Sequence, residues 1–449
     1  MALALMIPAL AAWPLVRRLL PGEDRVFVFF CAWPVGLAVL TLGQFLIGLC
    51  GGGVSLGTGM MVLGLLGLVG LRWPQRFQAA PSGLGAKPGT EAGAPRKRLF
   101  SAKFGLSLLI LLPIVYCFWQ TARESLSVGV DCIPGLSVWG YKARLICDNR
   151  DLPWAMWLDA SRPYLHQEYP LSWPLLMNWG FSWCGGYCNE IKLLQVLLGL
   201  GLFVEIAWLC RVRGGWPKPI ALAVAGLITC GAAGNQISTT LYAENFFLLT
   251  LLPGLILVQD WLRQGAKARL WLAALLLAAS AGIKQEGLVF WGFCGVFLLL
   301  WTLKSRREES LRVALLGFLG AAIFILPWAA VRSALDLHLY DFSLHAWETA
   351  KLKSTWVEFW RLLKSDWDGA WPLLLLVLSS LIWHWRDLLR SQKVLAVTIL
   401  LGSHLFFLLI YGFSVRDLAW HLSALDRLLW VCGCAGLVLA VQRQIQNKP

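Results

Sequence analysis

Thirteen long apolar runs dominate the sequence and limit what the chain can fold into. They fall near residues 2–16, 26–50, 54–71, 103–119, 190–210, 219–234, 241–259, 270–283, 287–303, 311–331, 370–385, 394–412 and 424–441. A membrane-crossing helix needs roughly 20 apolar residues, because an unpaired backbone amide in hydrocarbon costs several kcal/mol. The chain is 58% hydrophobic and 14% charged, which is too apolar for an ordinary soluble domain. The sequence therefore predicts an all-α polytopic membrane protein with about 13 transmembrane helices.

Basic residues cluster in alternate connections between these runs. The clusters are Arg17/Arg18/Arg25, Arg96/Lys97/Arg98, Arg211/Arg213/Lys218, Arg263/Lys267/Arg269, Lys304/Arg306/Arg307, Arg386/Arg390/Lys393 and Arg443/Lys448. All seven fall on one side when the spans are counted through, so the positive-inside rule predicts that this side is cytoplasmic and that the N-terminus is outside. The net charge of +14 is then a topology signal. Membrane lipids are expected as partners, and nucleic acid is not.

The composition of the connections predicts how the chain is organised. The predicted parts are three N-terminal transmembrane helices (1–73), a flexible cytoplasmic linker rich in Pro, Gly and Ala (74–102), a transmembrane core (103–441) and a cytoplasmic tail (442–449). Two long loops, 120–189 and 332–369, lie on the outer face and hold many of the 26 Trp residues. Because Trp prefers the membrane interface, these loops are expected to contain helices lying on the outer leaflet. The Trp residues in question are Trp154, Trp157, Trp173, Trp347, Trp356, Trp360 and Trp367.

Most of the 12 Cys residues lie inside apolar runs, where a thiol behaves as a small buried hydrophobe. Cys184 and Cys188, in WCGGYC, are the exception. They can form a disulfide if their loop faces an oxidising compartment, although a single C-x3-C pair does not decide this.

One carboxylate in the first outer loop is a candidate catalytic group. Asp131 follows the fourth apolar run by about a dozen residues and precedes Trp139, Lys142 and Arg144. An acid just outside the membrane, near an aromatic side chain and cations, can act as a general base. A solvated loop carboxylate is the alternative.

Several short motifs resemble one enzyme superfamily. The pattern D-x7-W-x-x-K-A-R runs from Asp131 to Arg144, and H-x-x-Y-P-L-x-x-P-L-L runs from His166 to Leu176. Y-A-E (242–244), K-Q-E-G (284–287) and W-H-L-S-A-L-D-R-L-L (420–429) lie at later span ends. Together they resemble bacterial GT-C-type glycosyltransferases, the superfamily of protein mannosyltransferases and aminoarabinose transferases.

The resemblance implies a GT-C-like fold in a bacterial inner membrane, with the active site on the periplasmic face. It implies an inverting transfer of a sugar from a polyprenyl-phosphate carrier to a glycan, lipid or protein acceptor. Asp131 inherits the role of the base that deprotonates the acceptor hydroxyl. The usual adjacent second acid is absent, since Cys132 follows Asp131.

Further polar residues at outer span ends are candidates for binding substrate. Glu244 can orient the acceptor or assist Asp131, or it is an exposed helix-start carboxylate favoured by the helix dipole. Arg427 and Lys284 can bind the leaving phosphate, although Arg residues at such positions often only reach toward lipid headgroups. Glu286 can neutralise Lys284.

The remaining candidates lie in the first outer loop and at the last span. Lys142, Arg144, His166, Glu168 and Tyr169 are possible substrate contacts, and His421 is a possible phosphate donor. No closely spaced His, Cys or Asp motif indicates a metal, so no cofactor is assigned and a divalent cation stays open.

Two other classes of function stay open. In a polysaccharide polymerase or ligase resembling O-antigen enzymes, Arg427 and His421 would be indispensable and Asp131 dispensable. A transporter of lipid-linked sugars would place ionisable residues at mid-membrane depth. Glu205 is the clearest such residue, so transport is the less favoured alternative.

Overall fold

A computed structural model describes residues 1–73, 102–127, 139–154, 167, 169–304, 308–337, 347–365, 370–384, 386, 390–410, 413 and 418–441. This part of the chain is almost entirely helical, and no strand occurs in it. The α-helices are α1 (Ala2–Leu19), α2 (Arg25–Leu49), α3 (Leu56–Arg72), α4 (Ala102–Ser127), α5 (Tyr141–Asn149), α6 (Ser172–Cys184), α7 (Lys192–Trp208), α8 (Lys218–Cys230), α9 (Ala232–Thr239), α10 (Glu244–Gln264), α11 (Lys267–Ile283), α12 (Glu286–Lys304), α13 (Glu308–Ala321), α14 (Leu326–Ala334), α15 (Thr349–Ser365), α16 (Ala370–His384), α17 (Arg390–Ile410) and α18 (Leu418–Val441).

The apolar runs correspond to these helices, as the hydropathy pattern predicts. Within the described residues, six helices are long and apolar enough to cross a membrane, and a bent helix pair makes a possible seventh. The all-helical class and the presence of several apolar spans are confirmed. The count of 13 crossings stays a prediction, because the described residues account for six or seven spans.

Two runs that we expected to be single spans are broken in the structure. The run at 219–234 divides at Gly231 into α8 and α9. After the break, Gly234 packs directly on the end of α8. A Cβ added at this position would lie 2.5 Å from the carbonyl oxygen of Ile228. The run at 311–331 bends by 51° between α13 and α14, where Pro327 occupies the first turn of α14 and cannot donate a backbone hydrogen bond to the preceding turn.

Helix α10 lies at the centre of the bundle and sets the position of both charged clusters described below. It packs against α2, α7, α11 and α18. Of the residues in its apolar 18-residue stretch, 94% are buried. Its first residue is Glu244, and Asp260 lies sixteen residues further on, which is about 24 Å along a helix with a 1.5 Å rise per residue. We call the Glu244 end of the bundle the outer end and the Asp260 end the basic end.

Four side chains close an ionic network at the basic end. Arg213 binds both carboxylate oxygens of Asp260 at 3.1 Å and Oε2 of Glu23 at 3.4 Å. Arg269 binds Asp260 at 2.9 Å and Glu23 at 2.5 Å. Each arginine thus bridges the same two carboxylates. The network joins the α1–α2 connection to α10, to the start of α11 and to the π-helical turn Leu209–Arg213 that follows α7.

The N-terminal helices also contact the rest of the chain at the outer end. The indole Nε1 of Trp179, on α6, donates to the Ala4 carbonyl oxygen at 2.7 Å. The backbone N–H of Val54, before α3, donates to the Arg150 carbonyl oxygen at 2.7 Å. The first outer loop therefore packs on the outer ends of α1–α3.

The described Trp residues of the outer loops differ in burial, and Trp154 is half-buried. Trp347, Trp356 and Trp360, at or on α15, are exposed beside charged side chains, as expected of a helix at the membrane interface. The expectation was wrong for Trp173, which is fully buried and donates from Nε1 to the Leu241 carbonyl oxygen at 2.9 Å. Helix α6 is a core element because it packs against α2, α3 and α5. Trp157 and Trp367 lie outside the described residues.

Candidate active site at the outer end

Glu244 is the centre of a buried ionic cluster, although it opens a helix. Its side chain is 1% exposed, so the alternative of an exposed carboxylate at a helix start was wrong. The loop before it is held by Gln195 of α7, whose Nε2 donates to the carbonyl oxygens of Ile237 and Tyr242. Asn245 next to it donates to Ser238 Oγ at 3.1 Å. These bonds fix the start of α10 inside the protein.

Two cations from distant parts of the chain converge on one oxygen of this carboxylate. Lys284 Nζ lies 3.0 Å, and Arg427 Nη1 2.9 Å, from Oε1 of Glu244. Lys284 also binds Glu286 at 2.9 Å, so the proposed neutralisation of Lys284 by Glu286 is present in the structure. The described side chains of this cluster hold two positive and two negative charges.

The turn that carries Lys284 is shaped by Gly287. The backbone N–H of Gly287 donates to the Lys284 carbonyl oxygen at 3.0 Å. A Cβ on Gly287 would lie 2.4 Å from the backbone nitrogen of Ala281, so a larger residue would push α12 away from α11. The K-Q-E-G motif therefore places an ammonium and a carboxylate in a tight turn beside Glu244.

Arg427 points into the protein. Its guanidinium lies 3.8 Å from the centroid of the Tyr242 ring, which is a cation–π contact. Tyr169 also interacts electrostatically with Arg427, and its ring stacks on Trp139 at 5.4 Å and 9°. The stack joins Tyr169 to Trp139, which lies directly before α5.

Two polar atoms of the cluster lack a hydrogen-bond partner among the described residues. They are Oε2 of Glu244 and Nε of Arg427, and both are buried. Buried polar atoms are normally satisfied by protein or water. The cluster thus retains one acceptor and one donor that a hydroxyl or phosphate group can use.

The pKa of Lys284 predicts how the stability of the cluster depends on pH. Burial lowers the pKa of Lys284, but the carboxylates of Glu244 and Glu286 raise it by more, so it lies above its usual value despite the nearby Arg427. Because the pKa of Lys284 is higher in the folded than in the unfolded protein, its charge stabilises the folded state. This stabilisation is complete below the unfolded-state pKa of about 10.4. It is lost as pH rises through the folded-state pKa. We expect the difference in melting temperature between wild type and Lys284→Met to stay constant from about pH 7 to about pH 10.

Thermal unfolding in detergent measures this difference. Lys304→Met, at an exposed position at the far end of α12, is the matched control and should show little difference from wild type at any pH. A difference for Lys284→Met that vanishes already between about pH 7 and 9 would contradict a raised pKa.

The other residues predicted in the first outer loop fall into three groups. Lys142 is buried on α5 and lines a narrow pocket with Trp154, Gln167 and Trp328. Arg144 is exposed, pairs with Asp148 at 3.5 Å and lies 4.8 Å above the Tyr187 ring, so its described partners are outside the Glu244 cluster. Asp131, His166 and Glu168 lie outside the described residues, and the side chain of His421 is likewise not described.

Sequence reasoning missed the polar residues that support the cluster. Gln195, Ser238 and Asn245 are each buried. The available signal was an amide in the otherwise apolar run of α7, since a buried polar side chain in a span usually has a specific partner. In the described parts of the chain, no three His, Cys, Asp or Glu side chains come together as metal ligands, and the open question of a divalent cation stays a prediction.

No protein-family model, curated protein or solved structure matches the chain.

Proposed function

We propose that this chain is a membrane glycosyltransferase that moves a sugar from a polyprenyl-phosphate carrier to an acceptor at the outer end of the bundle. The observation that carries the proposal is the convergence of Glu244, Lys284 and Arg427 on one buried point. Pairing charges away from water is costly unless their geometry is well defined. Glu244, Lys284 and Arg427 belong to three separate motifs of the resemblance, and their side chains form these ion pairs.

The cluster supplies the electrostatics that a phosphate leaving group needs. In the proposed reaction an acceptor hydroxyl oxygen attacks the anomeric carbon, and the bond from that carbon to the phosphate oxygen breaks with its electron pair on the phosphate. Arg427 and Lys284 stabilise the resulting charge, and Glu244 holds both cations in place beforehand. Attack from the face opposite the phosphate inverts the anomeric centre.

Asp131 is the proposed base that accepts the proton of the acceptor hydroxyl. Its position is a prediction from the sequence, because it lies outside the described residues. Trp139 and Lys142, from the same motif, are buried on or beside α5, and Trp139 stacks on Tyr169, which interacts electrostatically with Arg427. This chain of contacts supports placing the motif beside the cluster.

The proposed membrane orientation places the basic end in the cytoplasm of a bacterial cell and the outer end at the periplasmic face. The roughly 24 Å along α10 between Glu244 and Asp260 approaches the thickness of a bilayer hydrocarbon core of about 30 Å. Arg213, Arg263 and Arg269 lie at the Asp260 end, and the positive-inside rule favours that end as the cytoplasmic one. A prenyl tail would then lie among the apolar helices while its phosphate reaches the Glu244 cluster.

The test compares lipid-linked sugars in cells that carry variants of this chain. Loss of the chain should cause a polyprenyl-phosphate-linked sugar to accumulate, and wild type should clear it. Asp131→Asn should leave it accumulated, with equal protein in the membrane, because an amide cannot accept the proton. Asp148→Asn, at an exposed site on α5, is the matched control and should clear the lipid. Mass spectrometry of lipid extracts measures the carrier.

Two outcomes would count against the proposal at different levels. Full clearance by Asp131→Asn would remove Asp131 as base. No accumulation on loss of the chain would remove glycosyl transfer itself.

The central position of Arg427 also fits the polymerase or ligase alternative. In that case Arg427→Lys should fail to clear the carrier, because a lysine cannot keep the geometry of the guanidinium over Tyr242, while Asp131→Asn should clear it. The two variants together separate the alternatives.

The transporter alternative rests on Glu205. Its side chain is 1% exposed on α7, and neither carboxyl oxygen has a hydrogen-bond partner within the described residues. A buried acid in a span is a functional candidate by default. Carrier cleared by Asp131→Asn but not by Glu205→Gln would favour transport.

A further inference from the structure

Cys184 and Cys188 lie within contact distance of each other at the end of α6. Both are free thiols, and the Cys184 thiol interacts with that of Cys188. The chain reverses between them, because Gly185 and Gly186 adopt φ values of 81° and 152°. Both N–H groups donate to the carbonyl oxygen of Phe181, which brings position 188 back toward the helix end.

The space around this turn is open. A Cβ on Gly185 or Gly186 would meet nothing within 4 Å, so the backbone has room to make the small shift that forming an S–S bond requires. Cys184 is exposed and Cys188 is partly buried. The Cys184 thiol is therefore accessible to solvent, and the Cys188 thiol is less accessible.

We propose that Cys184 and Cys188 form a reversible intramolecular disulfide by exchange with a disulfide-bearing oxidant. This modification site is independent of the proposed glycosyl transfer. It requires only that the outer end faces a compartment that holds such an oxidant, such as one supplied by thiol–disulfide oxidoreductases.

The exchange proceeds in two steps. The Cys184 thiolate attacks one sulfur of the oxidant, forming a mixed disulfide and releasing one thiol. Cys188 then loses its proton and attacks Cys184, which expels the second thiol of the oxidant. Two electrons and two protons leave this chain, and the oxidant's disulfide becomes two thiols.

The order of the two steps follows from the surroundings of the thiols. Burial, and then the neighbouring Cys184 thiol, raises the pKa of Cys188 to about 12. Since the thiolate is the nucleophile, the exposed Cys184 is the attacking residue and Cys188 the resolving one.

The disulfide would fix a turn that contacts the first outer loop. Tyr187, between the two cysteines, packs on Phe181 at 5.2 Å and carries the Arg144 guanidinium over its ring. Asn189, directly after Cys188, donates to the Leu126 carbonyl oxygen at 2.8 Å. The turn thus joins α6 to the end of α4 and to α5, the helix that bears Lys142.

Differential alkylation tests the proposal on the full chain in native membranes. Membranes are treated with oxidised glutathione, blocked with N-ethylmaleimide and digested, and the peptide that contains both cysteines is weighed. We expect it to be lighter by two hydrogen atoms and free of maleimide, and to take up two maleimides after reduction. Cys50→Ser removes another exposed thiol and should leave this result unchanged.

Single variants identify the pair. In Cys184→Ser the remaining Cys188 should carry maleimide or glutathione, and in Cys188→Ser the same should hold for Cys184. Two maleimides on the wild-type peptide after oxidation would overturn the proposal. So would a cross-link from either residue to another cysteine or to a second copy of the chain.

Discussion

Replacing Glu244 by Gln is expected to lower the free energy of unfolding by about 3–5 kcal/mol, the cost of breaking a buried ion pair from one side. The amide keeps the shape of the side chain but removes its charge. Lys284 then retains Glu286, whereas Arg427 is left with the ring of Tyr242 and no described carboxylate within salt-bridge distance. Two buried cations would face a single acid.

Thermal unfolding in detergent, compared with Glu190→Gln, measures this loss. Glu190 lies in the short segment before α7 and is exposed, so its replacement should change stability by less than about 0.5 kcal/mol. Equal melting temperatures for the two variants would mean that the Glu244 cluster contributes no net stability.

A triple variant separates a structural role of the cluster from a role in the reaction. Glu244→Leu, Lys284→Met and Arg427→Met together replace the charges by apolar groups of similar size, and such replacements of buried ion pairs are often neutral or stabilising. We expect this variant to regain most of the stability lost in Glu244→Gln, yet to clear no lipid-linked sugar. Recovery of both stability and carrier clearance would show that the cluster is purely structural.

The sequence predicted the members of this cluster but not their contacts. Glu244, Lys284, Glu286 and Arg427 stood out because each is a charge at the outer end of an apolar run. Arg427 and Glu244 are 183 residues apart, and Lys284 and Glu244 are 40 apart. Hydropathy gives the end at which a charge lies, but not which helices are neighbours, so convergence required the packing of α10 against α11 and α18.

The wrong predictions share a physical cause. Trp173 was assigned to the surface because it belongs to a connection between runs, and an exposed position was one of the two readings of Glu244 at a helix start. Both are buried because the connections fold back onto the helix ends, where Trp173 donates to Leu241 and Glu244 binds two cations. The two runs are broken at Gly231 and near Pro327, where single residues change the backbone conformation. Hydropathy averaged over a whole run does not detect the effect of one residue.

Arg213→Met is expected to destabilise the protein by about 3–5 kcal/mol, while Arg211→Met should cost less than about 1 kcal/mol. The two positions are two residues apart in the π-helical turn Leu209–Arg213, which follows α7. Arg211 is exposed and donates only one described hydrogen bond, to the Trp216 carbonyl oxygen at 3.0 Å. Arg213 is 11% exposed and bridges Glu23 and Asp260.

The difference arises from what each arginine leaves behind. Without Arg213, the buried Asp260 and the partly buried Glu23 keep their ion pairs with Arg269, and the guanidinium contacts with Phe27 and Trp208, at 4.9 Å and 5.7 Å, are lost. Without Arg211, a solvent-accessible carbonyl oxygen can bind water instead. Because the substitution and the helical turn are the same, the comparison measures what the ion pairs and ring contacts of Arg213 contribute together.

A cleavage experiment measures what the network holds together. A protease site inserted between residues 74 and 101 cuts the chain after α3, and the N-terminal fragment should stay bound to the remainder on a sizing column in wild type and in Arg211→Met. In Arg213→Met it should separate at a lower temperature, because Glu23 is the N-terminal member of the network and loses one of its two described ion pairs. Separation at the same temperature in all three proteins would show that apolar packing of α1–α3 alone holds the fragments together.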